Sequence, residues 1–420
     1  MNASASGRHE RATRFTLDTS WQRFGTVVIA GSPLTIFRLT ASGSTIVDRI
    51  ERDERVGGSI LTARMSNAGA IHPVPDRDVR RWEDKVTIVT PQLGGTVRMD
   101  GRITVDDGSS PPLSGATIRL DHNHGPAGAR NTARPLVRTP LVAFVDSDVV
   151  VDDGWLRPLL PHFDDPTVGL VAPRARGEAG SSLDMGPDPA RVRAGTRVSY
   201  VPTAAIVARV AALDDVGWFD EGLRFGEDVD LVWRLDEAGW SCRYEPAASV
   251  WHEPRRGLLA SLRQQVDYGT SAAPLAIRHP GRLAPVRSNG WTAAVWTLAG
   301  AGRWFSAATI ALGSATALPR RLPGVPPRVA LRLALVGHLA ASRQLAAAVR
   351  RTWWPLVAGA ALVSRRARWI ALTSVAFSPA TTLRDLAYGV GVWKGMIEHR
   401  TLAPILPAIS AWPGRERSTG

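Results

Sequence analysis

The sequence predicts an α/β domain built on a mainly parallel sheet. A small winged-helix-like module precedes it, and an α-helical region rich in Arg and Trp follows. Three observations carry this reading. Strand-like apolar runs alternate with helical stretches from Val86 to about Glu253. A unit over 15–75 has its own pattern of short strands and helices. Charge is placed unevenly: the net charge is +13, yet residues 287–420 hold 17 basic against 3 acidic side chains, leaving the rest close to neutral. The 44% of hydrophobic residues excludes wholesale disorder. The single cysteine, Cys242, excludes an intramolecular disulfide and a cysteine-based zinc site. A strongly basic chain suggests nucleic acid, but 15–75 is not strongly basic and shows no arginine-clustered reading helix, so no nucleic-acid partner is expected.

Each element follows in order. Residues 1–14 lack an apolar core of signal-peptide length and read as a frayed, disordered terminus, which points to a cytoplasmic location. Val27–Ala30 and Leu34–Leu39 flank Gly31-Ser32-Pro33 and read as a strand pair joined by a turn. Thr45–Ile50 and Ser59–Asn67 read as short helices, the second ending near Gly69. Pro73, Pro75 and the charged run to Lys85 read as a linker. The α/β domain, 86–285, offers strands at Val86–Thr90, Arg102–Val105, Thr117–Leu120, Leu141–Val145 and Val168–Ala172. Its helices fall at Trp155–Phe163, Asp228–Ala238 and Leu258–Gly269. Pro91–Gly101 and Ser110–Gly115 are too short to carry crossover helices. The first strands therefore join by bare loops, pair differently, or leave one sheet face open.

In 286–420 the apolar runs are Gly290–Gly302, Trp304–Pro319, Thr352–Ser364 and Trp369–Pro379. All are shorter than the roughly 20 residues that span a bilayer. Arg332, His338 and Arg343 interrupt an otherwise apolar helix over 328–349. Amphipathic helices on a surface fit better than spanning ones. This region holds 8 of the 15 tryptophans. Arg and Trp together suit the headgroup zone of an anionic membrane, and they equally suit helices packed on the α/β domain with Arg facing solvent.

Three acidic motifs carry chemistry. Asp106-Asp107-Gly108-Ser109 follows a strand, and ligands of open parallel sheets sit outside the carboxyl ends of strands. An Asx-type turn uses the same residues. Leu141–Val145, wholly apolar, ends abruptly in Asp146-Ser147-Asp148. Two carboxylates beyond a buried strand suit a hard divalent cation, Mg²⁺ or Mn²⁺, that keeps positions open for phosphate and water. Gly226-Glu227-Asp228-Val229-Asp230 opens a helix, where the dipole favours acids whatever their role. Asn123–Asn131 is a Gly-containing loop whose backbone and Arg130 suit a diphosphate.

Taken in order, D-D-G-S, G-P-A-G-A-R-N, D-S-D, G-E-D-V-D-L and Tyr244-Glu245-Pro246 with Trp251-His252 resemble the family 2 nucleotide-sugar glycosyltransferases of GT-A fold over roughly 86–255. The resemblance implies a UDP-sugar donor whose uridine half meets Asp107 and Asp106, with Arg130 and Asn131 beside the nucleotide. It implies a metal on Asp146 and Asp148, joined by His252, and Asp228 as general base with Glu227 alongside. It also implies direct displacement with inversion. Tyr200–Ile206, Tyr268–Pro274, Trp353-Trp354-Pro355 and Tyr388–Trp393 further resemble the glycosyltransferases of mycofactocin biosynthesis, and 15–75 is similar to peptide-chaperone modules. That narrower resemblance implies glucose transfer from UDP-glucose to a peptide-derived acceptor. Two other readings stay open at this point: a membrane polysaccharide or glycolipid glycosyltransferase, and a degenerate peptide-binding scaffold.

Overall fold

The computed structural model describes residues 12–76, 79–97, 101–177, 183–253 and 257–410. The chain divides into two units, Met1–Gly222 with Glu227–Pro254 and Leu223–Gly226 with Arg255–Gly420. The terminus expected to fray lies outside the described residues up to residue 11.

The first unit starts with strands β1 (Arg14–Leu17), β2 (Gln22–Phe24), β3 (Val27–Ala30) and β4 (Thr35–Arg38), helices α1 (Ala41–Glu51) and α2 (Ile60–Asn67), and β5 (Ile71–Val74). β2, β3 and β4 form an antiparallel sheet, with β3 and β4 the expected hairpin. Thr40 caps α1, and Ser59 forms a capping box with Thr62 on α2. Val28, Val47, Met65 and Ile71 meet in the core of this module.

Among the described residues, both parts of the segment expected to be a linker, 73–76 and 79–85, are held against the protein. Ile71–Val74 pairs antiparallel with β1, placing Pro73 opposite Phe15 in a two-stranded sheet. Both strands there are edges, where a missing N–H is tolerated. Farther on, buried Trp82 donates its indole N–H to Asp164 at 2.9 Å and meets Phe163 edge-on. The apolar ring drives 79–85 onto the α/β core.

A buried carboxylate also fixes the module in place. Asp18 lies 3.1 Å from His72 Nε2 and accepts from Arg197 Nη2 at 3.1 Å. Burial alone would raise its pKa, but the His72, Ser20 and Arg197 interactions outweigh that and hold it well below the usual carboxylate range. The Arg197 amide donates to Ser32 Oγ at 2.6 Å, and its guanidinium to Thr19 Oγ1 at 3.0 Å.

The α/β part contains β6 (Val86–Gln92), β7 (Ile103–Asp107), β8 (Ile118–Leu120), α3 (Gly125–Thr132), β9 (Leu141–Val145), β10 (Val149–Val151) and β11 (Val168–Arg176). β12 (Ala190–Val192), β13 (Ala205–Arg209), α4 (Val210–Val216), α5 (Glu227–Glu237) and β14 (Ser241–His252) complete it. The strand order is β10-β14-β11-β13-β9-β6-β7-β8, with β12 also on β14. β9, β6, β7 and β8 run parallel. β13 enters antiparallel between β9 and β11. Every residue of β9 is buried, the reason its sequence is wholly apolar.

The join from β7 to β8 is a bare loop, and the described residues of the join from β6 to β7 carry no helix. Side chains replace what a helix would supply. Gln92 Nε2 donates to the carbonyls of Gly94 and Thr96 at 2.9 and 3.1 Å, and the Gly94 amide donates to Ser109 Oγ at 2.8 Å.

Two other expectations change. Trp155–Phe163 is a run of turns and a 3-10 helix at Leu160–Asp164, because Pro158 and Pro161 each remove an N–H donor. The Gly-containing loop instead forms α3, with Pro126 in its first turn.

The second unit contains α6 (Leu258–Thr270), α7 (Ala272–Arg278), β15 (Arg287–Asn289), α8 (Gly290–Gly300), α9 (Trp304–Arg321) and α10 (Pro327–Ala348). α11 (Trp354–Val363), α12 (Arg365–Ala376), α13 (Pro379–Glu398) and β16 (Ala408–Ser410) follow. α6 and α7 thus group with the C-terminal helices, although the sequence reading set them in the α/β domain. Their place is fixed by close approach: a Cβ on Gly391 would lie 1.9 Å from the Val266 carbonyl oxygen. The imidazole of His338 joins Thr292 and Ser314, both at 2.9 Å, tying α10 to α8 and α9. Among the described residues, no helix is long and apolar enough to cross a membrane.

Candidate active site

The carboxyl end of β9 delivers Asp146, Ser147 and Asp148 to one edge of the parallel strands. The turn is fixed at both ends: the Asp146 amide donates to the Ala204 carbonyl at 2.9 Å, and the Val149 amide to the Asp146 carbonyl at 3.1 Å. β10 then pairs antiparallel with β14 so that Val149 faces His252. This register puts His252 Nε2 3.4 Å from Asp148 Oδ2.

Arg130 links the two acidic motifs. It is 1% exposed on α3. Its guanidinium donates to Asp146 Oδ1 at 2.6 Å and to Glu227 Oε1 at 3.0 Å, with its cationic carbon 5.2 Å from the Phe219 ring centre. A planar fork suits two carboxylates from different elements. In α5, Asp230 is bound by Arg234 at 2.7 Å. Asp228 is half-buried, accepts the Val229 amide at 2.7 Å and forms no ion pair among the described residues. Burial first and the charge of Glu227 second push its carboxyl up to about 7.

That value sets a pH dependence. For Asp228 acting as the general base that the sequence resemblance implies, kcat/KM is expected to rise as pH increases through about 7 and then level off, because a base must be deprotonated to act. Glu227→Gln removes one cause of the upward shift, so the acidic limb should move to lower pH. A pH–rate profile that stays flat from weakly acid to neutral pH would remove Asp228 from the reaction.

The remaining expected site residues hold the protein to itself. Buried Asp106 accepts from the amides of Ser109 and Leu113 at 2.9 and 3.0 Å and pairs with Arg119. Asp107 accepts the amides of His124 and Gly125 at 2.7 and 3.0 Å and the Asn123 side chain at 3.0 Å, capping α3. The α3 N-terminus therefore already carries a protein carboxylate where a diphosphate was expected. Asn131 donates to the Phe219 carbonyl at 2.9 Å and to Glu221 at 2.8 Å, and accepts the Phe219 amide, fastening the approach to α5.

Asp146, expected with Asp148 and His252 on a metal, is turned to Arg130 instead. Among the described residues, no three His, Cys, Asp or Glu side chains are set to hold an ion. Asp148 and His252 still offer an oxygen and a nitrogen side by side and only partly buried. This suits a hard cation that takes its other ligands from phosphate and water.

A small, open recess lies beside this edge, lined by Thr90, Gln92, Thr96, Arg102, Thr104, Asp146, Ser147 and Val149. The Thr90 hydroxyl there is buried without a hydrogen-bond partner among the described residues. Sequence reasoning missed Thr90, Gln92, Arg102 and Thr104. The available signal was polar side chains at the carboxyl end of one strand and the start of the next.

Residues 103–204 match the family model described as Glycosyl transferase family 2. The chain is 38% identical to the pre-mycofactocin glycosyltransferase of Mycobacterium tuberculosis, over 92% of this chain and 95% of that one. It is 25% identical to the poly-beta-1,6-N-acetyl-D-glucosamine synthase of Staphylococcus aureus over 174 residues, 38% of this chain and 42% of the relative. Among solved structures, the mannosyltransferase PcManGT from Pyrobaculum calidifontis, in complex with GDP-Man and Mn²⁺, is 16% identical with a TM-score of 0.43 over 75% of this chain and 87% of that one.

Proposed function

The chain belongs to glycosyltransferase family 2, and we propose that it transfers glucose from UDP-glucose to mycofactocin or its peptide-derived precursor with inversion. The pre-mycofactocin acceptor named for the Mycobacterium tuberculosis relative, aligned over 92% of this chain, supports the acceptor class. One observation carries the chemistry: Arg130 joins the D-S-D turn to the start of α5, so the carboxylates of both motifs belong to one site.

Asp228 takes the proton of an acceptor hydroxyl. The acceptor oxygen bonds to the anomeric carbon as the bond from that carbon to the diphosphate oxygen breaks, and UDP departs with the electron pair. A single displacement from the opposite face inverts the centre. Asp148 and His252 would hold a divalent cation, Mg²⁺ or Mn²⁺, which supplies charge neutralisation for the departing diphosphate. Arg130 keeps Asp146 and Glu227 oriented, and the recess lined by Thr90 and Arg102 accepts the nucleoside. Asp106 and Asp107 shape that recess by fixing the loop after β7 and the start of α3.

The 15–75 module holds the peptide-derived acceptor by adding a strand to a sheet edge. The 286–420 region meets an anionic membrane, on its cytoplasmic face.

The test is an assay of UDP-glucose with the peptide-derived acceptor, read as hexose mass increments. Transfer should require Mg²⁺ or Mn²⁺ and stop on chelation. Asp148→Ala and His252→Ala should each raise the Mn²⁺ concentration needed for half-activation about tenfold or more. Full activity after exhaustive chelation would exclude a metal role.

A further inference from the structure

We propose that two adjoining helical-hairpin tips of the second unit form a wedge that enters the headgroup layer of an anionic bilayer. This rests on the membrane reading above and narrows it to named residues. The turn between α8 and α9 and the turn between α11 and α12 lie side by side: a Cβ placed on Gly302 would sit 3.2 Å from the Arg366 guanidinium. At the apex Phe305, Leu362 and Val363 are 92%, 83% and 89% exposed. Trp304 and Trp369 flank them, also exposed. α11 is apolar along its length and has no buried residue.

Charge selects the occupant. Arg303, Arg365, Arg366 and Arg368 lie in or next to these two turns, all exposed, and neither 301–305 nor 362–372 contains an acid. Three of these arginines open α12, and Arg303 is the N-cap of α9. A helix start favours acids, so the dipole does not account for arginines at either place. Their summed field suits phosphate headgroups, while tryptophans at such a level suit the boundary between headgroups and acyl chains. A second copy of this chain docked apex to apex would set the two arginine groups against each other. The bilayer satisfies both the apolar tip and the arginines of its turns.

The test is co-sedimentation of the full chain with vesicles of phosphatidylcholine alone and with equal parts of phosphatidylglycerol. Binding should favour the anionic vesicles. The triple variant Phe305→Ser, Leu362→Ser, Val363→Ser should weaken it more than tenfold. Arg365→Gln, Arg366→Gln and Arg368→Gln should each weaken it about fivefold. Cys242, the one cysteine, is buried, so Val363→Cys labelled with an environment-sensitive dye should shift to the blue only with anionic vesicles.

An intact chain that ignores both vesicles overturns the membrane reading itself. Anionic binding that survives the triple variant, with no dye shift, overturns the wedge and leaves membrane contact to another face. A dimer by light scattering that the triple variant dissolves assigns the tips to a second copy and also overturns the wedge.

Discussion

Asp228→Asn is expected to lower turnover about a thousandfold while leaving UDP-glucose affinity within a few-fold of the native value. The same change should stabilise the protein at neutral and higher pH. Its folded pKa of about 7 stands above the unfolded value of 3.8. Between these values the folded state holds a proton that the unfolded state has released, so the carboxyl's contribution to stability falls as pH rises from about 4 to 7. Asn carries no charge to desolvate and escapes that loss. Calorimetric binding of UDP-glucose, single-turnover transfer and thermal unfolding across pH measure the three parts. A variant that turns over normally removes Asp228 as the base. One that is inactive yet less stable at every pH assigns it a structural role.

Arg130→Met should have the larger effect on the fold. It leaves Glu227, 8% exposed, and Asp146 without the cation that pairs them. Removing one partner of a buried ion pair costs about 3–5 kcal/mol. Denaturant unfolding should show that loss, and transfer should become undetectable. Arg130→Lys retains the charge but gives up the fork, so most of the stability should return without the activity. Adding Asp146→Asn and Glu227→Gln to Arg130→Met should recover stability, since no unpaired charge then remains. A loss under 1 kcal/mol for Arg130→Met would mean that water reaches the two carboxylates.

The parts of this architecture legible in the sequence are those written in local contrast. β9 shows because five apolar residues stop at two carboxylates, and α2 because Ser59 announces its start. Arg130 was legible as a basic residue near the donor, but its partners were not. Asp146 lies 16 positions away and Glu227 lies 97, and only the fold brings them together. α3 was hidden because Gly, Pro and Ala dominate its first turns and its cap comes from Asp107 on a neighbouring strand. The linker reading failed because two prolines outweighed Trp82, whose burial depends on Phe163 and Asp164, roughly eighty residues on. The recess was hidden for a related reason: Thr90 and Thr104 are ordinary strand residues until parallel pairing sets their ends side by side.

The Asp18–Arg197 attachment bears on how an acceptor is presented. A module on a slack linker sweeps a large volume, and a segment bound to it meets the reaction centre at a low effective concentration that falls with linker length. Here Trp82 takes up the linker, and Asp18, Thr19 and Ser32 hold the module on the loop before β13. Any segment bound by this module is confined to an almost fixed radius. The number of its own residues between anchor and reactive group, not the swing of the protein, then sets how far it reaches.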